Sequence, residues 1–592
     1  MKNRDEIEES MKWDLSSLYK NEETFNKDLE YLEENYKKYI DFKGKLNNVN
    51  DILEFLKFDE EFSKKFESVV NYSSLKFDED VTNFKYQEIS GKVDNLSTKV
   101  SSVTSYIVPE LMKLDEKDIE NFLKNEEFKM YEYEFKNLLR SKKHVLSEKE
   151  EKILSLLSSP LNSFEEISSY LCNSDIKFGK LNNNEELTNT NFSVYITNSD
   201  RSVRKDAFYK LYKQYENMQN TFAKAYSSYV NYMNTNAKIR NYKSARQAAL
   251  FSGNISESIY DNLIDTVHKN LSIMDEYYKL KKEVLKLDEI HIYDIYTPLL
   301  PETNKKYTFE EAKTLILESL KVLGDKYIED LKHAFTDRWI DVYPNRGKRG
   351  GAYSSGCYTS NPYILLNYNE KYNDVSTLAH ELGHSMHSYY SIKNNPYIYH
   401  GYKIFVAEVA SQVNEILLAK HILKTTNDKS EKLNILDSLM ELFKGSIIRQ
   451  TMFAEFEKQM HLSESKGEVL TSKFISDKYY ELYKKYSGNV MISDEEIRYE
   501  WEKIPHFYYN FYVYQYATGL AAACYIANGI LEGKDEAKEK YLDFLKLGGS
   551  MDPVDELKKA GVDMNNPEVI QSALDMFKDA IKEFKNIYEV GE

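Results

Sequence analysis

The chain has 592 residues, 42% of them hydrophobic and 30% charged, with 79 Lys and Arg against 96 Asp and Glu for a formal charge of −17. That balance excludes a disordered or membrane-embedded chain and disfavours a nucleic-acid partner, which needs a basic face. With only 21 Gly and 10 Pro, under half the roughly 12% of an average protein, there are too few turns for a many-stranded sandwich or barrel, and long helices are expected. Cys172, Cys357 and Cys524 have neither metal-ligand spacing nor a disulfide framework, which fits a reducing compartment. No signal-peptide core and no apolar run long enough to span a bilayer are apparent, so a cytoplasmic location without a membrane partner is the expectation.

Residues 21–160 read as successive amphipathic helices, in which Leu29, Leu32, Tyr36 and Ile40 recur at spacings of three and four. Ser147 followed by Glu150 makes a capping box that opens a helix to Leu157. Residues 177–197 predict a small hairpin, with the polar turn LNNNEEL ahead of Phe192-Ser-Val-Tyr-Ile, which alternates like a strand. Asp200 can cap a helix through Tyr212, and helical periodicity continues to about Leu287. Residues 337–369 differ from their surroundings: Gly347, Gly350, Gly351 and Gly356 lie beside a β-prone stretch, 363–368, a loop-and-strand patch of the kind that builds sites. Helices resume at Asp374, break at Gly548-Gly549, and restart at Asp552-Pro553 and Asn566-Pro567.

Four of the 11 histidines, His380, His384, His387 and His400, fall between positions 380 and 400. The first two belong to His380-Glu381-Leu382-Gly383-His384, an HExxH pattern expected about 0.02 times by chance in such a chain. On a helix, positions i and i+4 project from one face about 6 Å apart, so two imidazoles can meet one Zn²⁺ while Glu381 faces its open position. Zinc there lowers the pKa of bound water to roughly 7, and the adjacent carboxylate takes the proton as water attacks a carbonyl, which is the chemistry of peptide hydrolysis.

Catalytic zinc takes three protein ligands and a water. The extended pattern HExxHxxGxxH is excluded, because its glycine position holds His387 and its last histidine position holds Tyr390. A glutamate on the next helix is the remaining standard solution. Residues 403–420 read as an apolar helix interrupted by Glu408, Ser411, Gln412 and Glu415, one polar stripe whose carboxylates are costly to bury unpaired. Either glutamate can ligate; Glu408 lies closer to the motif and is preferred, leaving Glu415 to orient a histidine. His387, seven residues after His380, sits nearly two turns along the zinc face and is expected to hydrogen-bond instead of ligating.

His380-Glu-Leu-Gly-His384 followed by Phe405-Val-Ala-Glu408-Val-Ala-Ser411-Gln resembles the thimet-oligopeptidase-type zinc metallopeptidases and, within them, the oligoendopeptidase F branch. The resemblance runs nearly end to end, through Trp13-Asp-Leu-Ser-Ser-Leu-Tyr, Gly350-Gly-Ala-Tyr-Ser, Pro362-Tyr-Ile-Leu-Leu-Asn-Tyr, residues 504–519, Gly548-Gly-Ser and Ala560-Gly-Val-Asp-Met. It implies a mainly α fold, with two helical lobes around a deep substrate channel and a small β patch beside the zinc helix. It also implies one zinc per chain on His380, His384 and Glu408, Glu381 as general base, and internal cleavage of short oligopeptides. The expected division is an N-terminal helical lobe over 1–200 and a metallopeptidase catalytic domain over 201–592.

Residues 504–516 hold His506, Tyr508, Tyr509, Tyr512, Tyr514 and Tyr516 beside only two Phe, more phenol than a dry core prefers. Such groups can donate hydrogen bonds to a growing oxyanion, and the resemblance gives His506 and Tyr514 that role, with Tyr509 and Tyr512 in substrate binding. It likewise makes Gly351, Ala352 and Tyr353 part of a strand that binds extended peptide backbone, where glycine permits close approach and an exposed edge accepts an added strand. Two rivals remain: a carboxypeptidase of the same fold, for which Arg346, Lys348 or Arg349 could capture a terminal carboxylate, and a peptide-binding protein without activity. The presence of Glu381, which ligates nothing, speaks against the second.

Overall fold

The computed structural model describes residues 2–301 and 305–589. Helices dominate: the longest runs 39 residues from Arg201 to Ile239, whereas no strand among the described residues exceeds three. No described helix is long and apolar enough to cross a membrane. The chain forms two compact units, each assembled from three stretches. The first comprises Met1–Val145, Lys305–His421 and Ile526–Gly561; the second comprises Leu146–Asn304, Ile422–Tyr525 and Val562–Glu592. Neither follows a division at residue 200, because helices far apart in sequence share one core; Lys429–Phe443, for example, packs along Pro567–Glu589.

Side-chain caps set many helix starts. Asp200 accepts from the Ser202 amide to open Arg201–Ile239, and Ser147 and Glu150 form a reciprocal capping box, but that helix continues past Leu157 to Tyr170 with Pro160 inside it. The hairpin expected over 177–197 reduces to a single antiparallel bridge between Lys180 and Glu186. Its strand-like end is instead a short helix, Phe192–Ile196. Thr188 and Asn191 exchange side-chain-to-amide hydrogen bonds that wind the chain, and Phe192 and Ile196 are buried while Val194 is 64% exposed. Burial thus follows a spacing of four, where a strand would have buried all three.

Within the first unit, Ile340–Asp341, Tyr363–Leu365 and Tyr353–Ser355 form a small sheet in that order. Tyr363–Leu365 is parallel to the first strand and antiparallel to the second. This central strand is fully buried and joins a core that includes Trp13, Phe25, Leu32 and Tyr39. Tyr353–Ser355 is an end strand, and Ser354 Oγ lies 2.8 Å from Ser385 Oγ of the motif helix Tyr372–Asn394.

The motif helix is followed by the helix Ile404–Thr425. Their connection is pinned by Ser391 Oγ, which donates to the His400 carbonyl at 2.5 Å, and by the Gly549 amide, which donates to the Tyr399 carbonyl at 2.9 Å. The neighbouring Gly548 has φ +55°, and a Cβ there would lie 2.1 Å from the same carbonyl oxygen, so the Gly548-Gly549 break is a packing requirement. The two helices touch at Gly383, where a Cβ would stand 2.5 Å from Ser411 Cα and 2.6 Å from the Ala410 carbonyl oxygen. Gly383→Ala is therefore expected to push the helices apart at a cost of about 1–3 kcal/mol, read as a lower thermal midpoint together with reduced metal content. A variant that keeps both contradicts this account of the crossing.

Candidate metal and catalytic site

The motif helix presents His380 and His384 one turn apart, and the crossing brings Glu408 opposite them. His380 Nε2 and His384 Nε2 are 3.1 Å apart, and Glu408 Oε2 lies 3.3 Å from the first and 3.5 Å from the second. Donors bonded at 2.0–2.1 Å to one tetrahedral ion are about 3.3 Å from each other. Three atoms already spaced at that edge length, two imidazole nitrogens and one carboxylate oxygen, fit a metal ion, and the side chains are 18–33% exposed, so a coordination position can stay open.

Surrounding groups hold each donor. Glu415 Oε1 lies 2.6 Å from His380 Nδ1, and Ser376 Oγ donates to Glu415 Oε2 at 3.0 Å, which leaves Nε2 to face the metal position. Ser411 Oγ donates to the Glu408 carbonyl at 2.8 Å and to Glu408 Oε2 at 3.2 Å. Without metal, burial disfavours the charged His380 ring, but Glu408 and Glu415 outweigh it and push its pKa up to about 10; Glu408, although also partly buried, is held far below the usual carboxylate range by His380 and His384. Glu381 is 7% exposed, and burial together with the Glu408 and Glu415 charges raises its pKa against the opposing pull of the two histidines. A raised carboxyl is a better proton acceptor.

His387 occupies a different environment. Its ring stacks on Tyr402 at 3.8 Å and 5°, with Phe544 alongside, and its buried Nδ1 has no hydrogen-bond partner. It acts by packing, and the hydrogen-bonding role expected from its place on the zinc face is not seen at that nitrogen. Burial lowers its pKa to about 3, so it stays neutral.

In the β patch Gly351 has φ +86°, a conformation glycine adopts without strain. Asn367 Nδ2 donates to the Gly351 carbonyl at 2.8 Å, and a cavity of about 230 Å³ is lined by Gly351, Ala352, Asn367 and Thr377 among others. The Tyr353 hydroxyl donates to Asp78 at 2.7 Å, so this residue offers a ligand its backbone, not its phenol. In the second unit, the His506 ring neighbours Tyr509, Tyr512 and Tyr516 at 5.4, 6.4 and 6.1 Å. Tyr514 is apart from that group: it is 2% exposed and packs on Tyr260 at 5.0 Å. Burial lowers the His506 pKa and keeps its imidazole neutral at pH 7.

Ser376 and Ser385 were not singled out from sequence. Ser376 precedes His380 by one turn on the same face, which is a usable signal; Ser385 is identified only by the strand that lands on it. Because the metal-free site holds a proton on His380 to about pH 10, loading at neutral pH must displace it, with about one proton released per ion. Calorimetry in buffers of different ionisation enthalpy should show that release, and heats independent of buffer would contradict it.

Residues 194–576 match the family described as Peptidase family M3, and residues 110–178 match the one described as Oligopeptidase F. The chain is 42% identical over 590 residues to Oligopeptidase PepF of Bacillus subtilis, covering 99% of this chain and 88% of that protein. It is also 42% identical over 605 residues to an oligoendopeptidase F homolog of Borreliella burgdorferi, covering 100% of both. The solved oligoendopeptidase-F of Enterococcus faecium matches with a TM-score of 0.74 at 34% identity, over 96% of this chain and 99% of that one. A crystal structure from Chlamydophila abortus matches with a TM-score of 0.94 at 37% identity, over 99% of this chain and 100% of that one. With full-length relatives at this identity and a donor triad at metal-ligand spacing, the chain belongs to peptidase family M3, in its oligoendopeptidase F branch.

Proposed function

We propose that the protein is a zinc-dependent endopeptidase that hydrolyses internal bonds of short oligopeptides. The observation that carries this is the triad His380, His384 and Glu408, at the spacing and with the donor types of a catalytic zinc site, beside the buried carboxyl of Glu381. When bound, a zinc ion supplies the Lewis acidity that polarises a peptide carbonyl and acidifies water. Glu381 accepts the proton of the attacking water and returns it to the leaving amine, a transfer its raised pKa favours. Glu415 fixes the His380 tautomer through Nδ1.

The end strand Tyr353–Ser355, entered through Gly351 and Ala352, offers main-chain groups to an extended peptide, a mode of recognition largely blind to side chains. His506 and Tyr512, with Tyr509, are the candidate donors to the bound peptide; the donor role first given to Tyr514 passes to Tyr512 because Tyr514 is buried against Tyr260. Two of the three cations suited to a carboxypeptidase are engaged elsewhere: the Lys348 side chain is fully covered in an ion pair with Asp341 at 2.6 Å, and Arg349 pairs with Asp78 at 3.3 Å. The three cysteines form no disulfide, which supports a cytoplasmic location.

Product mapping by mass spectrometry on one peptide with free and with blocked ends should give the same internal cuts, abolished by a chelator; cleavage only of the free form contradicts endopeptidase action. Glu381→Gln should keep the metal and lose about 10²- to 10⁴-fold in kcat. Glu408→Ala should lose metal outright, whereas Glu415→Ala should weaken it only about 10- to 100-fold; the reverse order would overturn the ligand assignment. His506→Ala and Tyr512→Phe should each lower kcat by about 10²- to 10³-fold with metal retained, while Tyr514→Phe acts on thermal stability. Full rates in the first two variants would return the segment to a structural role.

A further inference from the structure

Residues 504–516 have two faces. Phe507, Tyr508, Phe511 and Tyr514 are buried. Tyr508 lies 5.2 Å from the Tyr229 ring, Phe511 4.7 Å from His461, and Tyr514 5.0 Å from Tyr260. His506, Tyr509, Tyr512 and Tyr516 form the other cluster. Asn510 and Phe511, between Tyr509 and Tyr512, have φ of +45° and +60°, in the left-handed region that residues other than glycine seldom adopt. Such conformations carry backbone strain and persist only where the surroundings impose them.

The group that holds this turn is on another helix. Glu457, on Gln450–Ser465, is 0% exposed, and its Oε1 accepts the Phe511 N–H at 2.6 Å; its Oε2 is buried with no partner. Burial pushes the Glu457 pKa up to about 8, partly offset by the Phe511 bond, so at neutral pH the side chain is a neutral acid. A half-satisfied buried carboxyl is a poor way to stabilise a core; an apolar side chain of similar volume serves better. Its use is therefore local: it supplies the acceptor that a left-handed Phe511 amide needs.

We infer that Glu457 is a positioning residue for peptide hydrolysis: by binding the Phe511 amide it fixes the left-handed turn that brings Tyr512 back beside His506 and Tyr509. The inference rests on the assignment of those three residues to substrate contact. Glu457→Leu removes the acceptor and Glu457→Gln keeps one. In the metal-loaded enzyme, Glu457→Leu should speed deuterium exchange within 505–516 and lower kcat by about 10²-fold with KM changed far less, the scale of a displaced contact group. Metal content should not change, and Glu457→Gln should stay within a few-fold of the parent. Adding Asn510→Gly to Glu457→Leu should recover part of the lost kcat, since glycine adopts the turn without strain. Unchanged exchange in Glu457→Leu, or lost protection across the whole unit in both variants, overturns the proposal. So does faster exchange at 505–516 with an unchanged kcat; in that case His506→Ala tells whether Glu457 or the segment was misassigned, because a slow His506→Ala leaves the segment's role intact and a fast one removes it.

Discussion

The approach of two helix backbones at Gly383 and Ser411 governs the metal site. A side chain of any size at Gly383 would occupy space already filled by Ser411 Cα and the Ala410 carbonyl. Glu408 is one turn before Ser411 and His384 is the next residue after Gly383, so the distance between the helices is also the distance between the ligands. A carboxylate can be placed within 3.5 Å of two imidazoles only because the backbones meet where no Cβ intervenes. The small sheet and the Gly548-Gly549 contact with Tyr399 act on the same geometry from either side, one through Ser354 and Ser385, the other through the connection between the helices.

Electrostatics follows from that packing. Glu408 and Glu415 bring two negative charges to a partly covered pair of histidines, and in the metal-free protein a proton on His380 compensates them. A divalent ion held by His380, His384 and Glu408 would supply the same compensation, while Glu381, outside that triad, is the carboxyl whose pKa burial raises. The division of labour among five carboxyl and imidazole groups within two helices thus comes from which of them face the metal position and which face protein.

The tyrosine-rich segment shows the same economy of placement in another part of the chain. Phe507, Tyr508, Phe511 and Tyr514 enter the core of the second unit while the segment's imidazole and remaining phenols do not, and two left-handed residues turn the chain between Tyr509 and Tyr512. That arrangement requires an acceptor from a distant helix, Glu457, at the strained amide. Strain held by a buried polar group is a common property of sites that must present side chains in one orientation.

Local chemistry made much of this legible from residues alone. HExxH reports one helical face because the period of the helix is fixed, the polar stripe from Glu408 to Glu415 stands out because carboxylates on an apolar helix demand a partner, and the capping residues Ser147 and Asp200 mark helix starts because the amides they satisfy are adjacent in sequence. Alternation misled at Phe192–Ile196, where Thr188 and Asn191 wound a strand-like pattern into a helix. Tertiary structure alone decided what depends on residues far apart in the chain: that three stretches build each unit, that Glu408 and not Glu415 faces both imidazoles, that Tyr514 lies in the core while Tyr512 does not, and that Glu457 holds Phe511. These outcomes are set by the distance between elements, and no periodicity or motif within one element encodes that distance.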